Sequence, residues 1–258
     1  MIFTYDGSFS GLLSAIFEVF RLKAEVTDIV AEDRFQQQLF ADATHIDTNE
    51  AHAARVMAGL KKRSENPGVV KLLRHAFLTE QPEVERLILH FVQRQMAVHA
   101  LDVSKDAGDD RIRRILRLKQ QMGREVHRMH AFVRFQQTAD GMYVSLIEPD
   151  FNCLPLIGDH FAARYPAQEW LIYDTRRHYG LHWDSERKKA EFITLSSGQD
   201  GQLRSLSTEM LDTAETDYQQ LWQTYFKAVD IPERQNLKLH LQHVPKRYWK
   251  YLTEKTGQ

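Results

Sequence analysis

The 258-residue chain is 43% hydrophobic and 27% charged, ordinary for a globular protein and long enough to bury a sizeable core. Its net charge of −1 excludes a partner chosen by overall charge, and no apolar run approaches the roughly 20 residues that span a bilayer, so no membrane partner is expected. Cys153 is the only cysteine, which excludes an internal disulfide and an all-cysteine zinc or iron–sulfur site in this chain. A reducing cytoplasm fits that cysteine usage, and Asp6 stands where an export signal carries lysines, so none is expected.

In chain order, a strand over residues 2–5 turns at Asp6-Gly7-Ser8 into a helix over 9–22, with Leu12, Leu13, Ile16, Phe17, Val19 and Phe20 as its apolar stripe. Asp6, Gly7 and Ser8 read either as a helix cap or as an anion site on free backbone N–H groups; capping alone explains the residue types. Gln38-Leu39-Phe40 has the makings of a short strand. Asp47-Thr48-Asn49-Glu50 starts a helix to about residue 63, Asn66-Pro67 a second and Gln81-Pro82 a third. Asp109-Asp110 places negative charge at the start of a basic helix through about residue 124.

From residue 126 to 137 the period changes to two. Met129, Ala131, Val133 and Phe135 alternate with Arg128, His130, Phe132 and Arg134, which predicts a strand. Ala139-Asp140-Gly141 then turns into a second strand over 142–148, and a short helix over 155–165 ends before Pro166. Strands over 169–174, 178–183 and 189–194 follow, joined by polar turns. Ser207 and Thr208 open a long helix with Leu211, Ala214, Tyr218, Leu221, Trp222, Tyr225 and Phe226 inward, and Pro245 opens a final turn carrying Tyr248 and Trp249. The class is α+β: a helical N-terminal half, an antiparallel β-meander in the middle and C-terminal helices, read as one domain over 1–258 with a weak break at 107–109.

Charge is unevenly distributed. Residues 1–50 hold nine acids and three bases, whereas residues 111–134 hold eight bases against the single acid Glu125. A strand face carrying Arg128, His130, Phe132 and Arg134 offers cations for phosphate and a ring for base stacking. Arg176, Arg177 and the run Lys246-Arg247-Tyr248-Trp249 repeat that mixture, so these ten residues are the nucleic-acid-binding candidates. The competing expectation is a face packed under a helix, its arginines paired to Glu125, Glu148 or Asp174.

Catalytic candidates are few. His160 and Asp174 form an acid–base pair if the fold brings them together. The pairs His127/His130, His178/His182 and His240/His243 lack the spacing and companion ligands of a metal site, so no metal is expected. No phosphate loop, dinucleotide fingerprint or nucleophile elbow is present, so no cofactor is assigned to this chain. Cys153 reads as buried packing.

Five ordered motifs carry a family resemblance: Tyr5-Asp6-Gly7-Ser8-Phe9 with Gly11-Leu12-Leu13; Val126-His127-Arg128-Met129 with Phe132 and Arg134-Phe135; Pro149-Asp150 with Leu156-Ile157 and His160-Phe161; Trp170-Leu171-Ile172-Tyr173-Asp174 with Arg177; and Pro245 with Tyr248-Trp249. Together they resemble an uncharacterised family assigned to DNA metabolism or DNA repair that occurs beside a radical SAM partner protein, with related domains fused to uracil-DNA glycosylase modules. The resemblance implies an accessory or substrate-recognition protein of DNA repair or modification, with DNA and a radical SAM enzyme as partners. The alternatives are a hydrolase or lyase acting on damaged nucleotides through His160 and Asp174, and a scaffold that touches only protein. The chain lacks the three-cysteine signature of a radical SAM enzyme and any glycosylase motif.

Overall fold

The computed structural model describes residues 1–35, 43–98, 101–194, 211–212, 214–215, 218–219, 221 and 244–252. The expected strand at Gln38-Leu39-Phe40, the His240/His243 pair and most of the helix expected after Ser207 lie outside them. The chain divides into two compact units, Met1–Gly123 and Arg124–Gln258.

Unit 1 is built on a three-stranded parallel sheet of order β2-β1-β3, from β1 (Ile2–Tyr5), β2 (Asp28–Ala31) and β3 (Ala43–His45). Ile2 pairs with Asp28 on one side and with Ala43 on the other. α1 (Phe9–Leu22) follows the turn after β1, and α2 (Glu50–Arg63), α3 (Val69–Phe77) and α4 (Val84–Ala97) complete the helical layer. Start signals set these boundaries: Ser8 Oγ accepts from Gly11 N at 2.8 Å, and Asn49 Oδ1 accepts from Ala51 N and His52 N at 3.0 and 3.1 Å. Phe3, Leu12, Ile16, Ile29, Leu73, Ile88 and Phe91 are fully buried at the centre of the core.

The turn after β1 uses its own polar groups. Asp6 Oδ1 accepts from Ser8 N at 2.9 Å, and Asp6 Oδ2 accepts from Thr48 Oγ1 at 2.7 Å, while Gly7 takes φ +80°. Ser8 N is thus held by Asp6 while Ser8 Oγ caps the helix at Gly11 N. A Cβ on Gly11 would collide with the Asp6 carboxylate and the Thr48 hydroxyl. Gly11→Ala gains about 1 kcal/mol of helix propensity but breaks this clip, and a net loss of about 1–3 kcal/mol is expected. Urea denaturation followed by far-ultraviolet circular dichroism checks it; a stabilised variant refutes the clip.

α5 (Asp110–Phe132) is one helix of 23 residues, so the strand expected over 126–137 does not form; only Gln136–Gln137 is extended, as β4. The buried positions explain why. Ile112, Ile115, Leu118, Met122, Glu125, Met129 and Val133 recur every three or four residues. Met129 and Val133, four apart, satisfy a period of two and a helical period equally, and the stripe behind them decides between the two. Ala131 is exposed, which alternation does not allow.

Unit 2 carries a five-stranded sheet of order β4-β5-β6-β7-β8, with β5 (Tyr143–Ile147), β6 (Trp170–Asp174), β7 (Tyr179–Asp184) and β8 (Lys189–Thr194). β6, β7 and β8 form the meander, whereas β5 and β6 run parallel and are joined through α6 (Leu154–Arg164). Gly141, at φ +89°, makes the turn between β4 and β5. The architecture is α+β, with a helical N-terminal region and the strand meander in the middle. Pro245 precedes a 3₁₀ segment, Lys246–Tyr251, that carries Tyr248 and Trp249.

Candidate functional site

Unit 2 gathers most of the polar candidates around two buried carboxylates. Glu125 on α5 is 1% exposed. Its Oε1 accepts from the Tyr248 hydroxyl at 2.5 Å and from Asp150 N at 2.8 Å; its Oε2 faces Arg128 and Arg247, each at 3.4 Å. Arg247 also reaches Asp150 Oδ2 at 2.7 Å, and the Phe132 ring lies 5.4 Å from that of Tyr248. Burial first, then the Glu125 carboxylate, pushes the Tyr248 hydroxyl above the usual phenol range.

Asp174, at the end of β6, is fully buried. Its Oδ1 accepts from Arg176 N and Arg177 N at 2.9 and 3.1 Å, and its Oδ2 from Arg177 Nη1 at 3.0 Å. Burial pushes its carboxyl up, and the guanidinium and backbone donors pull against that. Arg177 further donates to Pro149 O and Asp150 O, both at 3.1 Å, and Arg176 to Asp150 O at 3.3 Å. The Pro149-Asp150 segment is thus clipped to both centres. Lys250 pairs with Glu148 in the same manner.

These contacts rearrange the expected site. Arg128, His130 and Phe132 sit on a helix, so the strand face they were to share with Arg134 does not exist. Arg128, Arg177 and Arg247 are held by internal acids, Tyr248 is buried, and Trp249 Nε1 donates to Val244 O at 3.0 Å. Lys246 is exposed, its ammonium 5.9 Å from the centre of the Trp249 ring. His160 does not meet Asp174: no hydrogen bond joins them among the described residues, and the oxygens of Asp174 are occupied as above. Instead His160 stacks on His130 with ring centres 4.0 Å apart, and burial together with His160 and His127 holds His130 below the usual imidazole range. His178 lies in the turn before β7 at φ +57°, and His182 contacts Glu169 at 2.9 Å. Among the described residues no group of three or more His, Cys, Asp or Glu side chains is placed to hold a metal ion. Cys153 is buried, and burial raises its thiol far above the usual range.

Arg134 lies just past the end of α5. It lines a cleft of about 630 Å³ whose walls include Phe135, Tyr143, Tyr165, Trp170 and Tyr218, with Arg164 beside it. Arg134 Nη1 donates to Ala131 O at 2.7 Å, where α5 ends, so the guanidinium stands at the cleft with part of its donor set fixed. Edge-on contacts lock the inner wall: Phe135 meets Tyr165 at 5.5 Å and 80°. Trp170 is 1% exposed, and its indole N–H finds no acceptor among the described residues. Gln168, Gln219 and Glu215 supply amide and carboxylate groups; Glu215 accepts from Gln137 N and Gln219 Nε2, both at 3.1 Å. Tyr218, expected inward on its helix, is 67% exposed at the rim, and Leu221, also expected inward, is 66% exposed. The position of Tyr218 follows from the cleft; nothing among the described residues explains Leu221. Sequence spacing did not reveal this site, because its walls come from separate segments at 133–135, 143, 164–170 and 215–219.

A family model described as a domain of unknown function, DUF4130, matches residues 82–254. The chain belongs to the DUF4130 family. The match takes in α4, α5 and the segments that supply both buried carboxylates and the cleft. No curated protein and no solved structure matches the chain.

Proposed function

We propose that this DUF4130 protein is an accessory, substrate-recognising protein of DNA repair or modification, and that its unit 2 cleft receives an unstacked base of single-stranded nucleic acid. The observation that carries the reading is the meeting of aromatic rings with Arg134 and Arg164 in one cleft. Rings accept any base by stacking, guanidiniums hold the adjoining phosphates, and the amide and carboxylate groups meet base edges. A single-stranded site of this kind fits a protein that presents a base to another enzyme. The motif resemblance supplies that enzyme's class, a radical SAM protein; with Cys153 alone, the three cysteines of such a cluster belong to the partner.

The test is fluorescence anisotropy with a labelled thymidine oligonucleotide and a duplex of equal length, over a range of salt. Single strands are expected to bind more tightly. Tyr218→Ala removes one stacking ring and is expected to weaken binding by about 1–3 kcal/mol. Arg134→Ala is expected to flatten the salt slope by about 0.7, the share of one phosphate on a single strand. Curves identical for wild type and both variants, or no binding at all, overturn the reading and leave a protein-only scaffold.

A further inference from the structure

We propose that unit 1 holds a second site, a phosphate-binding cleft built by Arg111 and Arg114 of α5 against the face of α4 that carries His90. The cleft encloses about 390 Å³ and lies wholly within unit 1. Arg86, His90 and Gln93 recur at i, i+4 and i+7 and so share one face of α4, and the first turn of α5 brings Arg111 and Arg114 to the same space.

A hydrogen-bond relay aims Arg111. Its Nη1 lies 3.2 Å from His90 Nδ1, and a guanidinium can only donate, so Nδ1 is the acceptor. His90 therefore carries its proton on Nε2, which donates to Asp109 Oδ2 at 2.7 Å. Asp109, 15% exposed, is itself fixed by Arg94 at 2.6 Å. An exposed arginine ordinarily keeps its rotamer freedom; here a carboxylate holds an imidazole, which holds the guanidinium. The fork is set in place before any ligand arrives.

The donors at the start of α5 are not what is on offer. Asp109 Oδ1 already accepts from Arg111 N and Ile112 N at 2.8 and 3.3 Å. The two carboxylates lining the cleft have cations of their own: Glu83 faces Arg86 at 3.5 Å, and Asp110 pairs with Arg113 outside it. Among the described residues Arg114 makes no hydrogen bond or ion pair, and the Arg111 guanidinium meets no carboxylate. Two guanidinium forks with unspent donors, in a cleft larger than one anion, fit the tetrahedral oxygens of a phosphate that carries a further group. That phosphate belongs either to a nucleic-acid backbone or to a small phosphoester.

The site does not depend on the unit 2 cleft, and the full chain tests it. Inorganic phosphate is titrated by calorimetry at low salt into wild type, the double variant Arg111→Gln/Arg114→Gln, and Arg117→Gln, which removes an exposed α5 cation outside the cleft. The double variant is expected to lose about tenfold or more in affinity, with Arg117→Gln unchanged and thermal midpoints preserved. Absence of saturable binding, or an equal loss in Arg117→Gln, overturns the proposal. A thymidine oligonucleotide then assigns the source. Weaker oligonucleotide binding by the double variant identifies backbone phosphate; unchanged oligonucleotide binding with lost phosphate binding identifies a small phosphoester. Tyr218→Ala, which impairs only the unit 2 cleft, is expected to leave phosphate binding intact, so the two sites fail separately.

Discussion

Replacing Glu125 by alanine is expected to lower the stability of unit 2 by about 2–5 kcal/mol. Four donors converge on this carboxylate: the Tyr248 hydroxyl, Asp150 N, Arg128 and Arg247. The arginine side chains are 29% and 39% exposed, so water takes up part of their loss. The Tyr248 hydroxyl, buried with its acceptor, has no such recourse, and a buried donor left without an acceptor costs about 1–3 kcal/mol. Glu125→Gln keeps an acceptor oxygen but turns amide hydrogens toward the guanidiniums, so an intermediate loss is expected. Trp170, Trp183, Trp222 and Trp249, the four tryptophans of the chain, all lie beyond residue 123, so tryptophan fluorescence in a urea titration reports unit 2 alone. A midpoint unchanged in Glu125→Ala would remove the carboxylate from the centre of that unit's stability.

Asp174→Ala is expected to cost about 3–5 kcal/mol by the same readout, because it removes the buried carboxylate that a buried guanidinium faces. The Arg177 side chain is only 10% exposed, and the carboxylate it faces is fully buried. Arg177→Ala strands Asp174 in turn and is expected to cost a similar amount. With both removed, neither charge is left unpaired, so the double variant is expected to lose clearly less than the sum of the single losses. Strict additivity would show that the two groups act independently, against the geometry of the turn. These losses concern folding and bear on binding only through it.

Local signals predicted much of the architecture. Ser8, the Asn66-Pro67 and Gln81-Pro82 steps, and the turns after Asp174 and Asp184 mark element ends within a few residues of where they lie. The main error, a strand over 126–137, arose where Met129 and Val133 fit both periods. The parallel sheet escaped because β2 and β3 are four and three residues long, too short for alternation to stand out. Pairing of the arginines to Glu125 and Asp174 was readable in outline, since Glu125 is the single acid in its basic stretch. Which arginine joins which acid was not, because Arg247 reaches Glu125 across 122 positions. The cleft rings stand far apart in the chain, and only the sheet and α6 bring them to a common wall.

The length of α5 bears on where the family domain begins. The border between the compact units, at Gly123 and Arg124, falls inside that helix, while the family match begins at residue 82, just ahead of α4. The matched span is therefore neither compact unit but α4, the whole of α5 and unit 2 as far as residue 254. A gene rearrangement at the compact border would cut a helix mid-turn; one ahead of α4 would fall in a loop.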